Sequence, residues 1–214
     1  MVRQIVLMVM GCSFSGTAVP RQWRDSMEWG ISAVPAWGRN KENAINRFTD
    51  SIKRSIESRN WLSAIALTLT IPDICGALET PNEGNGVRYK RWFGQWMEPN
   101  YTVDLPGCGR RAFLTADSCW ALRCSYLHAG SFEVRHQKIE FPLKAFHFIE
   151  PPGNGNTIHM NRIGAVLQIQ SDVFCEEMIT AVKEWQASIG GMPEIQDRLR
   201  DMLQIHSSVP AIGY

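Results

Sequence analysis

Arg123 and His128 lie five residues apart in the stretch Cys119-Trp120-Ala121-Leu122-Arg123-Cys124-Ser125-Tyr126-Leu127-His128-Ala129-Gly130-Ser131. An arginine in so apolar a segment needs an acid, because a guanidinium is rarely tucked away unpaired. Asp73 and Glu79, in the run Ile71-Pro72-Asp73-Ile74-Cys75-Gly76-Ala77-Leu78-Glu79, are the acids to meet it. One reading is structural: Arg123 with Asp73 or Glu79 ties two core helices together. The other is phosphate chemistry. Arginine's fixed fork matches phosphate oxygens, and an imidazole that titrates near neutrality moves protons. Phosphoryl transfer needs both, a proton carrier and a cation on the crowded phosphorane. Residues five apart on a helix point about 140° apart, so the pair does not share one face. A composite site with a second subunit suits it better. His128 falls at the expected helix C-terminus, where the dipole favours imidazolium and a general-acid role. Ser131 joins Asp73 and Glu79 as a supporting polar group.

Other residues offer less. The cysteines, Cys12, Cys75, Cys108, Cys119, Cys124 and Cys175, form no C-x-x-C pair. Neither a zinc ribbon nor a thioredoxin-type site is indicated, and no metal or cofactor is expected. Cys75, Cys124 and Cys175 sit in apolar segments as small hydrophobes, which favours a reducing, cytoplasmic compartment. His128, His136, His147, His159 and His206 are scattered rather than spaced as ligands. A hydrolase built on Cys75, Cys119 or Cys124 lacks a local activating context. Arg88-Tyr89-Lys90-Arg91-Trp92-Phe93 interleaves cations and aromatics. Arg88, Lys90 and Arg91 therefore read either as a clamp for single-stranded RNA or as a solvated helix face over an aromatic core. Gly153-Asn154-Gly155 precedes no helix and is a turn, not a phosphate loop.

The elements that must carry these residues follow from period and punctuation. Ile45, Phe48, Ile52 and Ile56 recur at helical spacing after Asn40, a candidate cap. A second helix opens at Trp61, is apolar nearly all round, and meets Pro72, which must end or kink it. Helices are expected at 41–59, 61–79, 87–97, 116–129 and 171–188, with a polar last helix from Pro193 to about His206. Thr115 caps the 116–129 helix, Asp117 sits in its first turn, and Gly130 ends it. The segments 81–86 and 99–111 read as loops. After Gly130 the period becomes two, through Ile139, Phe141, Leu143, Phe146, Phe148, Ile158 and Met160. The expected class is α+β: a mainly helical bundle with a small antiparallel β insertion, about 132–169, after the fourth helix.

Length and composition bound the rest. With 214 residues, 44% hydrophobic, 20% charged and a net charge of +1, the chain suits one packed domain. A polybasic tail protein, a fibrous repeat and a transmembrane bundle are excluded. Residues 1–40, with Trp23, Trp29 and Trp37, read as an irregular arm. Within it Arg3 and Ile5 to Cys12 mimic a lipoprotein signal, with a buried first strand or a misassigned start codon as the alternatives. Residues 41–206 form the domain, and 207–214 a tail.

Arg123-x4-His128 near a helix end, followed by small residues, resembles the R-x4-6-H motif of the HEPN superfamily of helical-bundle proteins. That resemblance implies a metal-independent endoribonuclease with Arg123 and His128 as catalytic residues. It also implies an RNA substrate, a homodimer joining two motifs, and room for a protein partner such as an antitoxin. HEPN sites often carry a polar residue after the arginine, where this chain has Cys124. Over about residues 43–187 the chain is also similar to a group of bacterial proteins that brings no activity with it. The alternative function is a non-catalytic binding or scaffold protein held by the Arg123 ion pair.

Overall fold

The computed structural model describes residues 44–107, 109–133 and 144–202. The N-terminal arm, Asn40, Ile139, Phe141, Leu143, His206 and the tail lie outside the described residues. The first helix, α1 (Asn46–Glu57), buries Ile52 completely, and Ile45 just before it. Phe48 and Ile56 pack at the edge of the same apolar stripe. α2 (Trp61–Glu79) begins at Asn60, whose side-chain oxygen accepts the Ser63 N–H at 3.3 Å. Pro72 lies inside α2 and does not end it. Packing of α2 against α1, α3, α5 and α6 outweighs the single helical hydrogen bond that proline deletes. By length and composition α2 is apolar enough to cross a membrane. Half of it is buried inside the bundle, as a central core helix requires.

α3 (Asn85–Trp96) returns along α2, and Gly76 makes the close approach possible. A Cβ at Gly76 would stand 2.8 Å from the Arg88 carbonyl oxygen. A 3₁₀ turn (Glu98–Tyr101) leads into a hairpin, β1 (Thr102–Leu105) and β2 (Gly109–Ala112). This corrects the loop expected at 99–111: four-residue strands are too short to show a period, and Gly107 and Gly109 supply positive φ at the turn. α4 (Ala116–Ala129) follows, then β3 (Ala145–Ile149), β4 (Asn161–Ile163) and β5 (Val166–Gln170). α5 (Ser171–Ser188) and α6 (Pro193–Arg200) complete the described chain.

The architecture is α+β, with six α-helices and two small sheets among the described residues. In the second sheet the order is β3-β5-β4. β4 pairs antiparallel with β5, as expected for the insertion, whereas β3 runs parallel to β5 in the register Phe146–Leu167, which corrects the all-antiparallel expectation. Alternation reports which face is buried, not strand direction, so only the fold decides that. The shared core holds Trp92, Trp185, Tyr89, Phe93, Tyr101, Phe146 and Phe174, all essentially without exposure.

Candidate functional site

α4 is built to hold its last turn firmly. Thr115 Oγ1 accepts the Ser118 N–H at 3.2 Å, and Glu98 accepts the Ala116 N–H at 2.7 Å. At the other end Gly130 takes φ 60°, and the Ser131 N–H closes back on the Ser125 carbonyl at 3.2 Å. Between these ends Cys119 and Leu122 face the core, and Arg123 lies at its border with 15% side-chain exposure.

Arg123 reaches Asp73, with Nη2 3.5 Å from Oδ2. The other carboxylate oxygen accepts Arg88 Nε at 2.7 Å, so Asp73 clamps α2, α3 and α4 at one point. The Arg123 guanidinium also lies 5.1 Å from the centre of the Trp120 ring, within cation–π range. Glu79, the alternative partner of Arg123, is taken elsewhere. It accepts Trp185 Nε1 at 2.7 Å and Arg91 Nη2 at 3.3 Å.

Arg123 Nη1 lies 3.3 Å from His128 Nε2. The two residues thus meet within one chain, although their Cα directions diverge. The long arginine stem spans the angular gap and turns its fork toward the helix end. A guanidinium can only donate, so His128 Nε2 is the acceptor and the imidazole is neutral in this contact, with its proton on Nδ1. That arrangement suits a base at Nε2, where the helix dipole alone would favour an acid. His128 is exposed, so the contact opens to solvent. Arg123 Nε is buried without a partner among the described residues, so the guanidinium retains unused donors.

The other sequence candidates are placed as follows. Arg88 is bound to Asp73, and Lys90 Nζ to Asp117 at 3.0 Å. Arg91 bridges Glu79 and Glu83, the latter at 2.7 Å, and donates to Thr80. Each of the three cations already has an acid beside it. Ser131 Oγ accepts the Glu133 N–H and does not reach Arg123 by any hydrogen bond. An open groove of 310 Å³, walled by Ile74, Ala77, Leu78 and Met202, runs beside Asp73 and Arg88. Among the described residues no group of three or more His, Cys, Asp or Glu side chains is placed to hold a metal ion.

The buried thiols are poor nucleophiles. Burial pushes Cys119 and Cys175 up to about 12, outweighing the opposing effects of the hydrogen bonds with Tyr89 and Thr68. Cys75 is driven up by burial and then by the Glu79 charge. One polar cluster has no signal in the sequence. Tyr101 donates to Glu177 at 2.5 Å, and His159 Nε2 lies 3.5 Å from the same carboxylate oxygen. Its members come from a 3₁₀ turn, α5 and the approach to β4, which no local spacing connects. No family model, curated protein or solved structure matches the chain.

Proposed function

We propose that the protein is a HEPN-like endoribonuclease in which Arg123 and His128 carry the chemistry without a metal. The contact of Arg123 Nη1 with His128 Nε2 at 3.3 Å, open to solvent, is the observation that supports this most directly. His128 Nε2 takes the proton of the substrate's 2′-hydroxyl, and the oxygen attacks the adjacent phosphorus. The bond to the 5′-oxygen breaks and that oxygen is protonated from solvent. Arg123, released from the imidazole, turns its N–H groups to the phosphorane oxygens. The products are a 2′,3′-cyclic phosphate and a 5′-hydroxyl. A homodimer belongs to this reading through the resemblance. Contact within one chain means the pair itself does not require the second subunit to meet.

A second reading rests on Asp73. Its place between Arg88 and Arg123 supports a scaffold protein in which the clamp is purely architectural. Labelled single-stranded RNA in EDTA separates the two. Cleavage by wild type, lost by about 10²–10⁴-fold in His128→Ala with an unchanged melt, is the expected result. Equal cleavage by both proteins, or none by either, returns the pair to architecture.

A further inference from the structure

We infer that His159 is an acid-operated latch on the junction of β5 and α5, separate from the Arg123–His128 pair. His159 Nδ1 accepts the backbone N–H of Gln170 at 3.3 Å. Gln170 is the residue at which β5 hands over to α5, and it is 5% exposed. An accepting Nδ1 carries no proton, so the proton of the neutral ring sits on Nε2. That nitrogen is buried without a hydrogen-bond partner among the described residues, on a side chain only 9% exposed, and Glu177 Oε2 lies 3.5 Å from it. Two ring nitrogens with opposite roles make the position sensitive to one added proton.

Protonation adds an N–H at Nδ1 directly opposite the Gln170 N–H, and two donors then face each other. The Gln170 amide loses its acceptor in a buried place, which is costly. Nε2–H, now part of a cation, gains the Glu177 carboxylate as a charged partner. The proton therefore exchanges a bond that holds the strand-to-helix junction for one that holds α5 from the side.

The surroundings define which groups take part. Glu177 faces the ring from α5, and Tyr101 from the 3₁₀ turn packs against it in a tilted contact, 5.5 Å between centres. Burial, and then Glu177, drive the Tyr101 phenol up, so it remains a donor to that carboxylate. Asp172 engages the same junction through the Gln170 side-chain amide at 2.9 Å. From the β4 side Arg162 is turned away, to the Gly164 carbonyl. Met160, next to His159, is held at φ 55°, a conformation that L-residues adopt at some cost. The ring is thus seated on backbone with a reason to relax when the latch opens.

Nitrogen-15-labelled full-length protein provides the test, titrated from about pH 8 to about pH 5, across the range where histidines change charge. At the upper end the His159 ring signals should report the Nε2–H tautomer. As that ring titrates, hydrogen-exchange protection of the Gln170 amide, corrected for intrinsic rate, should fall about tenfold. The Leu69 amide, inside α2, should not follow. His159→Gln keeps an acceptor oxygen but does not titrate, and should abolish the fall. If His159→Gln does not fold, Glu177→Gln removes the charged partner and should move the fall to lower pH. An Nδ1–H tautomer at the upper end, a Gln170 amide indifferent to titration of the ring, or a fall that survives His159→Gln would each overturn the latch. None of these readouts uses RNA, so the result is independent of the nuclease assay.

Discussion

Asp73 is a single carboxylate serving two guanidiniums, one through each oxygen. Removing it leaves two partly buried cations without their acid, a larger loss than removing either arginine alone. Asp73→Ala should cost about 2–4 kcal/mol of stability, read as a shift in the urea midpoint. Arg123→Ala should cost about 1–2 kcal/mol, since it gives up one ion pair and the Trp120 contact but frees Asp73 for Arg88 alone. An unchanged midpoint for Arg123→Ala would show that the clamp carries no stability. Arg123→Lys asks a different question, because a point ammonium cannot reproduce the planar fork. If the pair is catalytic, that variant should cleave RNA far more slowly than wild type while its urea midpoint moves little.

Helix ends and helix contacts set the next scale. Arg59 closes α1 with φ 55°, in a left-handed position where glycine is unstrained. Arg59→Gly should stabilise the protein by about 0.5–1 kcal/mol, after loss of a weak exposed pair with Glu150 at 3.8 Å. Gly130 occupies the equivalent position after α4, and nothing lies within 4 Å of a Cβ built there. Gly130→Ala should therefore cost only the conformational term, about 1 kcal/mol. Gly76 differs in kind, because a Cβ would press on the Arg88 backbone rather than on a side chain that can swing away. Gly76→Ala should cost more than Gly130→Ala, about 2–3 kcal/mol, by forcing α2 and α3 apart. The order of the three urea midpoints checks the assignment. Equal losses at Gly76 and Gly130 would contradict the close helix contact.

Over the whole molecule, buried thiols and phenols make alkaline pH the vulnerable side. Cys119 and Cys175 titrate at about 12 when folded and at about 8.5 in an unfolded chain. Their contribution is fully present below about pH 8.5. Above it the unfolded state releases protons that the folded state retains, so stability falls until the folded thiols also ionise near 12. Tyr89 and Tyr101, pushed up chiefly by burial, act in the same direction at higher pH. Urea midpoints should decline steadily from about pH 8.5 to about pH 11, and a Cys119→Ala, Cys175→Ala protein should show a shallower decline. A flat profile would mean that these thiols are reached by water. An aromatic chain joins the parts at this scale. Tyr126 stacks on Phe132, Phe132 meets Phe148, and Phe148 packs edge-on to Phe174, linking α4 to the sheet and α5.

The α-helical part of this fold was legible because its signals are local. Thr115 and Gly130 mark helix ends by their own hydrogen-bonding and backbone chemistry, and the apolar period marks which face is buried. The need for an acid beside Arg123 was legible too, since it follows from burial alone. Which acid it would be was not, because Asp73 and Glu79 lie on the same helix and only the packing of α3 and α5 claims Glu79 for Arg91 and Trp185. Helical angles placed Arg123 and His128 on different faces, whereas a long side chain folded along the last turn brings them to 3.3 Å. Strand direction in the second sheet and the meeting of Tyr101, Glu177 and His159 depend on contacts between distant segments. Residue order determined the helices by their local chemistry. The tertiary structure decided the partners, because a charge or a strand edge is satisfied by whatever the fold brings within reach.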